Sequence, residues 1–579
     1  MKTNKSSVTK LILPYLAHRK ILIVLSILFS AASVVLSLYL PRLVGNAIDL
    51  MTAKNRVDFG GIEKIVITAA AVIAATALLQ WLTNIINNKI VFETVSDIRC
   101  DGFKHIQSLP LSYLDTHKTG ETVNRLISDA DQFADGLLLG FTQLFSGLTT
   151  IGVTIGLMLS INTVIALTVI ILTPISIFVA KFIAKRSFDL FKKQSEQQAE
   201  LTALTEEMIG NQKLVKSYSY EDRALDRFGK INSGYLKIAL KATFFSSLTN
   251  PTTRFINSLI YAVVGVIGAL FAISGGITVG AFVSLLSYAN QYTKPFNEIS
   301  GVITELQNAF ACAERLFELI NSPAETPDSQ GAEVLTNAEG NIEIENVGFS
   351  YSPERPLIEN LNLSVKNGQR IALVGPTGCG KTTVINLLMR FYDVGKGSIS
   401  VDGTNIKNIT RQSLRTSYGM VLQETWIKNT TVRENIAIGK PGATNEEIIA
   451  AAKAAYAHNF IEQLPNGYDT VIGGDDSGLS EGQKQLLCIA RVMISRPNML
   501  ILDEATSSID TRTEQKIQSA FQKLMCDHTS FIVAHRLSTI RSADIILVMK
   551  DGNIIEKGSH KELLKLHGFY YNLYNSQFE

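Results

Sequence analysis

Apolar and polar positions split the chain near residue 300. Before that point, apolar runs cover residues 21–40 and 65–86, each long enough to cross a hydrocarbon core of about 30 Å. Residues 137–183 make a double length, interrupted only by the small polar stretch "SINT" at 160–163. Residues 255–273 and 279–293 form another pair around "SGG", the last run being the more polar. The pattern predicts six membrane-spanning helices. A cleaved signal peptide fits the first run poorly, because it follows a basic lead and no small-residue cleavage site follows Leu40.

Charge sets the orientation. Lys2, Lys5, Lys10, Arg19 and Lys20 precede the first run, and residues 89–134 and 185–248 are strongly charged, whereas "SINT" and "SGG" carry none. Basic flanks stay inside, so the N-terminus and both long loops are expected in the cytoplasm. Those loops keep a helical pattern, so the second to fifth helices should extend well beyond the bilayer. An even number of spans returns the chain to the cytoplasm after residue 300.

There the period changes. A polar stretch, "NSPAETPDSQGAEVLTNAEG" at 321–340, has the composition of a linker. Beyond it "NIEIENVGFSY" alternates, "RIALVG" and "MLILDE" are compact apolar runs, and "VMKDGNIIEKG" is a hairpin with an Asp-Gly turn. Strands alternating with helical stretches predict an α/β domain. The expected organisation is an α-helical membrane domain over 1–320, a linker over 321–340, and an α/β domain over 341–579.

Composition narrows the classes. The chain has 579 residues, too many for one ordinary domain, and 46% of them are hydrophobic, which points to a lipid bilayer. Its 54 basic and 52 acidic side chains nearly cancel, so no basic footprint for nucleic acid is present. The five cysteines are scattered without metal spacing, which suits a reducing compartment and no disulfides.

Candidate chemistry begins at "RIALVGPTGCGKTTVINLLMRF". It reads as strand, glycine-rich loop and helix, with Gly375, Pro376, Thr377, Gly378, Cys379, Gly380, Lys381, Thr382 and Thr383 at P-loop spacing. Glycines let backbone N–H groups curl around phosphate oxygens, and a helix N-terminus adds positive potential. Lys381 is placed to reach the β- and γ-phosphates of ATP, and the Thr382 hydroxyl to ligate Mg²⁺. Cys379 needs no role beyond being small. In "MLILDEATS" a buried strand ends in Asp503, suited to hold Mg²⁺ through water, and Glu504, suited to activate a water beside the γ-phosphate.

Together these motifs make the chain resemble an ATP-binding cassette (ABC) exporter half-transporter, one six-helix membrane domain fused to one nucleotide-binding domain. The resemblance covers almost the whole chain. It implies that Tyr351 in "VGFSYSP" stacks on adenine, that Gln423 in "VLQETW" contacts Mg²⁺ and senses the γ-phosphate, and that His535 in "FIVAHRLST" is a switch histidine. "SSID" at 507–510 matches the loop that crosses to the partner subunit. "LPLSYLDTHKTGETVNRLISDAD" and "LVKSYSYEDRALDRF" resemble two cytoplasmic loops whose tips, with Tyr113 and Tyr218, are coupling helices against the ATPase domains. Composition alone would leave them as solvated charged helices.

Two departures stand out. The family's "LSGGQ", which closes over ATP on the opposite subunit's P-loop, is here Leu479, Ser480, Glu481, Gly482 and Gln483. A carboxylate about 6 Å from phosphate costs on the order of 3 kcal/mol per phosphate charge at an effective dielectric near 20, less if it turns to solvent. Upstream, "TVIGGDDSG" puts Gly474 and Asp475 where the family has a Glu-Arg pair. Both changes fall in parts given to the partner, while Lys381, Asp503, Glu504, Gln423 and His535 are intact. That pattern resembles heterodimeric exporters, in which one chain hosts the competent site and donates a weakened signature.

The expectation is ATP-driven, multidrug-type export of amphipathic or apolar small molecules across the cell membrane, with a second half-transporter as partner. Lipid flipping and peptide export are the alternatives, and an ATP-gated channel or regulator comes from another class. Six fused spans argue against a soluble ATPase acting on DNA or ribosomes. Polar positions in the spans, among them Trp81, Asn84, Asn250, Thr253, Asn257, Ser287, Tyr288 and Gln291, are cavity candidates that would equally serve helix packing.

Overall fold

The computed structural model describes residues 5–52, 57–352, 356–473, 478–503, 509–534 and 537–578. The chain folds as two compact units. One comprises Met1–Ser108 with His117–Ser322, the other Leu109–Thr116 with Pro323–Glu579.

In the first unit a short helix, Lys5–Ala17, precedes six long ones: Lys20–Thr52, Phe59–Gln107, Thr119–Ile161, Thr163–Gly210, Glu221–Ile273 and Val279–Ile320. Each expected span falls on one of them. Among the described residues, the first, second, third and fifth are long and apolar enough to cross a membrane. The fourth carries a shorter apolar stretch, Thr163–Ile175. At 1.5 Å per residue, the 49 residues of Phe59–Gln107 span about 74 Å, more than twice a hydrocarbon core, so the charged extensions continue the same helices. The third helix contains two π-helical stretches, Arg125–Asp129 and Gly140–Leu144.

The turns are capped by the residues that interrupt the apolar pattern. Asn162 in "SINT" accepts from the Ile165 N–H at 3.1 Å, and Thr278 after "SGG" accepts from Ala281 N–H at 3.1 Å. The first and sixth helices then meet almost backbone to backbone. A Cβ on Gly280 would stand 1.9 Å from the Gly45 carbonyl oxygen, so only glycine fits. Asp49 on the first helix accepts from the Thr278 hydroxyl and the Gly280 N–H, each at 2.7 Å. Pro41 removes a backbone donor from the first helix. Hydroxyls of the sixth helix bind nearby carbonyls, Ser284 to Pro41 at 2.9 Å and Tyr288 to Leu38 at 2.9 Å.

Among the described residues the second unit holds three sheets. Its strands are β1 (Ile342–Phe349), β2 (Ile358–Val365), β3 (Arg370–Val374), β4 (Lys396–Val401), β5 (Thr404–Asn405) and β6 (Tyr418–Val421). They continue as β7 (Thr430–Thr431), β8 (Val471–Ile472), β9 (Met499–Asp503), β10 (Thr529–Val533), β11 (Ile545–Lys550) and β12 (Asn553–Gly558). The central sheet runs β12-β11-β3-β10-β9-β6, parallel except for β12, and the antiparallel sheet runs β2-β1-β4-β5. Strands β3, β9 and β10 are buried along almost their whole length, as parallel strands covered on both faces must be. The Asp-Gly turn expected between β11 and β12 is present, with Asp551 and Gly552 at φ 48° and 80°, the left-handed pair a tight hairpin needs.

Residues 323–330 of the expected linker are strapped to this unit. Glu325 pairs with Arg415 at 2.6 Å, and Asp328 with Arg411 at 2.9 Å. These arginines lie on the helix Arg411–Ser417, which leads directly into β6.

Gly280→Ala tests the contact between the first and sixth helices. Overpacking should cost about 1–3 kcal/mol, read as a lowered melting temperature of the purified protein in detergent.

Candidate nucleotide site

Parallel register brings the candidate groups to one edge. Leu373 of β3 pairs with Val533 of β10, Val533 with Asp503 of β9, and Leu502 with Val421 of β6. Gly375, Gln423 and Asp503 therefore leave the sheet at the carboxyl ends of neighbouring strands, where open α/β sheets take their ligands. Glu504 and His535 lie outside the described residues, as do Gly474, Asp475 and Ser507. The described chain reaches Asp503 and Ala534, immediately before the first two.

The loop after β3 has the conformation its glycines allow. Gly378 and Gly380 sit at φ 82° and 98°. A Cβ on Gly375 would come within 2.2 Å of the Met549 carbonyl oxygen. Pro376, Thr377 and Gly378 form the exposed rim, Cys379 is buried in the apolar core beneath it, and Gly380 caps the helix Lys381–Leu388. Lys381 is buried, and its ammonium donates to the carbonyls of Gly375 at 2.8 Å and Pro376 at 3.0 Å. A phosphate entering this loop finds a cation already placed and competes with two neutral oxygens for it.

Thr382 is exposed at the first turn of that helix, whereas Thr383 is buried. Hydroxyl, carboxylate and amide oxygens at Thr382, Asp503 and Gln423 make a hard-oxygen donor set, the kind Mg²⁺ takes. Tyr351 is half exposed, and its hydroxyl donates to Thr383 Oγ1 at 3.1 Å while Asn386 donates to it at 3.3 Å. Its ring stands edge-on to Phe349 and Tyr392, with centroids 4.9 and 5.0 Å away. The aromatic ring is thus tethered to the start of the P-loop helix.

Sequence reasoning missed Tyr392. Its hydroxyl donates to Asp115 on the helix Leu111–Thr116, the first expected coupling helix and part of this same unit. Burial, then the hydrogen bond to Asp115, push the Tyr392 phenol well above its ordinary pKa, so it remains a donor. Tyr113 lies on that helix, partly buried. Tyr218 lies in the other unit, 79% exposed beside the short helix Gln212–Ser217. No signal in single-sequence patterning singles out Tyr392.

The signature segment opens the helix Glu481–Ser495 with a capping box. Ser480 Oγ accepts from Gln483 N–H at 3.3 Å, and Gln483 Oε1 accepts from Ser480 N–H at 2.9 Å. A Cβ on Gly482 would strike Thr513 Cγ2 at 2.4 Å, so packing within the chain excludes any side chain there. Glu481 meets no such wall. Its carboxylate, 60% exposed, accepts from Lys484 at 2.8 Å and from the Thr425 hydroxyl at 3.2 Å. The Lys484 hydrogen bond, followed by its charge and the Thr425 hydroxyl, outweighs slight burial and holds the carboxyl below its ordinary range. An acid in the first turn also complements the helix dipole.

A helical membrane unit joined to a P-loop ATPase unit with a capped signature helix defines an ABC transporter, and this chain belongs to that family. Residues 23–296 match the ABC transporter transmembrane region and residues 358–507 the ABC transporter domain. Among curated relatives, it is 41% identical over 530 residues to a fatty acid ABC transporter ATP-binding/permease protein of Mycobacterium bovis, covering 91% of this chain and 84% of that one. A putative multidrug export ATP-binding/permease protein, YgaD of Bacillus subtilis, is 38% identical over 482 residues, 83% of each chain. The solved structure of a bacterial Atm1-family ABC exporter with ATP bound superposes with a TM-score of 0.79 at 28% identity, over 97% of this chain and 99% of that one. The protein is a membrane-embedded ABC exporter half-transporter that binds ATP, acts in a dimer and couples ATP hydrolysis to transport.

Lys381→Ala removes the buried cation of the phosphate loop. ATP affinity should fall about 10–100-fold, the worth of a charge-assisted hydrogen bond, in a calorimetric titration of the folded protein.

Proposed function

We propose that this chain exports amphipathic or apolar small molecules, pairing with a second, different half-transporter and hydrolysing ATP at the site built on its own P-loop. One contrast carries the reading. Lys381, Thr382, Gln423 and Asp503 keep the groups a hydrolytic site needs, whereas Glu481 places an anion in the element offered to the other site. In the apposed pair, Ser480, Glu481, Gly482 and Gln483 would face the partner's nucleotide. Glu481 turned to Lys484 leaves a paired, nearly neutral surface there in place of an attracting one.

At its own site Lys381 holds the phosphates, Tyr351 stacks on the base, and Glu504 takes a proton from the attacking water while His535 and Gln423 hold the γ-phosphate side. Thr382, Asp503 and Gln423 would hold Mg²⁺, which neutralises phosphate charge. Binding of ATP closes the two ATPase units, Tyr113 and Tyr218 on the loop tips carry that closure to the membrane helices, and the cavity turns outward. Hydrolysis resets the pair, because only the triphosphate form favours closure. One relative named a fatty acid ABC transporter protein and another named a putative multidrug export protein support an amphipathic cargo.

Two measurements test this reading. Glu504→Gln keeps shape but removes the base, so ATP should still bind while turnover drops by roughly 10²–10⁴, and near-normal steady-state ATPase would remove the role of Glu504. The pairing is tested on the lone chain and on the complex recovered with its native partner. The lone chain should hydrolyse ATP poorly and gain activity on Glu481→Gly, while Ser480→Ala should barely affect the complex. Brisk ATPase from the lone chain that collapses on Ser480→Ala makes the protein a homodimer.

A further inference from the structure

Between the first, second, third and sixth long helices lies a cavity of about 160 Å³ lined by uncharged, mostly polar residues, with Val34 and Leu38 among them. At ~30 Å³ per water it has room for about five waters, or for one small head group. Three helices present polar stripes at helical spacing to it. They are Ser30, Ser33 and Ser37 on the first, Gln80, Asn84 and Asn87 on the second, and Thr142, Ser146 and Thr150 on the third, with Gln291 contributed by the sixth.

Helix packing alone would account for hydroxyls that satisfy themselves, and most of these do. Ser33 donates to the Ser30 carbonyl at 2.8 Å, Thr142 to Leu138 at 2.8 Å, Ser146 to Thr142 at 2.6 Å and Thr150 to Ser146 at 2.8 Å. Their protons are spent on the backbone, so the oxygens face the cavity as acceptors. Asn87 is different. It is fully buried, Ser26 donates to its Oδ1 and thereby fixes the amide, and its Nδ2 has no partner among the described residues. A buried donor within a membrane bundle is costly unless something accepts from it.

We propose that this cavity is a binding subsite for the neutral, hydroxyl-bearing head group of the exported amphiphile. It rests on the export reading above and adds the class of head group. A hydroxyl both accepts, from Asn87, and donates, to the row of serine and threonine oxygens. A carboxylate would meet that row of lone pairs with no cation in the lining, and an ammonium would meet the Asn87 amide protons with no anion. Neither charge has compensation inside the membrane. The stripes on three helices also explain why Asn84 and Gln291 share one lining although 207 residues separate them in sequence.

The test uses the full chain with its co-purified partner in phosphatidylcholine nanodiscs. Monoolein, oleate and oleylamine share a chain and differ in head group. Monoolein should stimulate ATPase at a half-maximal concentration at least 5-fold below the other two, and Asn87→Leu should erase that preference. In Ser33→Cys the new thiol should react with a small hydrophilic thiol reagent, followed by the mass of its peptide, and monoolein should slow the reaction about 3-fold. Labelling that monoolein leaves unchanged overturns the subsite. A preference for oleate also overturns it and moves the head group to the larger cavity of about 710 Å³ lined by Arg254 and Lys294. Loss of thermal stability in Asn87→Leu with the preference intact makes Asn87 helix glue and nothing more. If no amphiphile stimulates ATPase or reaches the opposite leaflet in vesicles, the export reading itself fails along with the subsite.

Discussion

Parallel register in the central sheet is the constraint on which the nucleotide unit depends. Because β3, β10, β9 and β6 end at one level, a phosphate loop, two candidate metal-binding groups and the segment towards residue 535 emerge at a single edge. Parallel strands need both faces covered, and the buried rows of β3, β9 and β10 supply the apolar surface for that. Each fully buried branched side chain contributes about 1.5–3 kcal/mol, and their sum holds a loop in which Gly378 and Gly380 take left-handed φ.

The signature helix shows how one position is fixed and its neighbour free. Gly482 is pinned by Thr513 on the adjoining helix, so its smallness serves the fold of this chain whatever a nucleotide requires. Glu481 projects into solvent, where Lys484 and Thr425 accommodate its charge. The anion that looked misplaced beside phosphate is locally well placed: it sits at a helix N-terminus, faces a lysine one turn on, and bridges to the segment that carries Gln423.

In the membrane unit the governing rule is that backbone and amide groups must be satisfied without water. Pro41 brings no N–H to the first helix, and hydroxyls of Ser284 and Tyr288 bind the carbonyls of Pro41 and Leu38, while Gly45 and Gly280 let the two backbones approach closely enough for this. The same rule makes the Asn87 Nδ2, which has no partner among the described residues, informative, since most hydroxyls lining its cavity bind backbone carbonyls of their own helix.

The sequence by itself determined the two kinds of domain, because membrane length, the 3.6-residue period and strand alternation are local patterns. It also marked the candidate phosphate loop, since "GPTGCGKTT" combines P-loop spacing with glycines and a lysine, and this stretch lies within the matched ABC transporter domain. Tertiary structure decided what depends on who sits next to whom. Linker residues 323–330 are held by arginines some ninety positions away, Tyr392 joins Tyr351 to Asp115, and Gly482 answers to Thr513. Serines on one helix, amides on a second and threonines on a third became a cavity only when the bundle closed. Contacts at long sequence separation leave no periodic trace in a single chain, which is why each of these could be found only in the folded molecule.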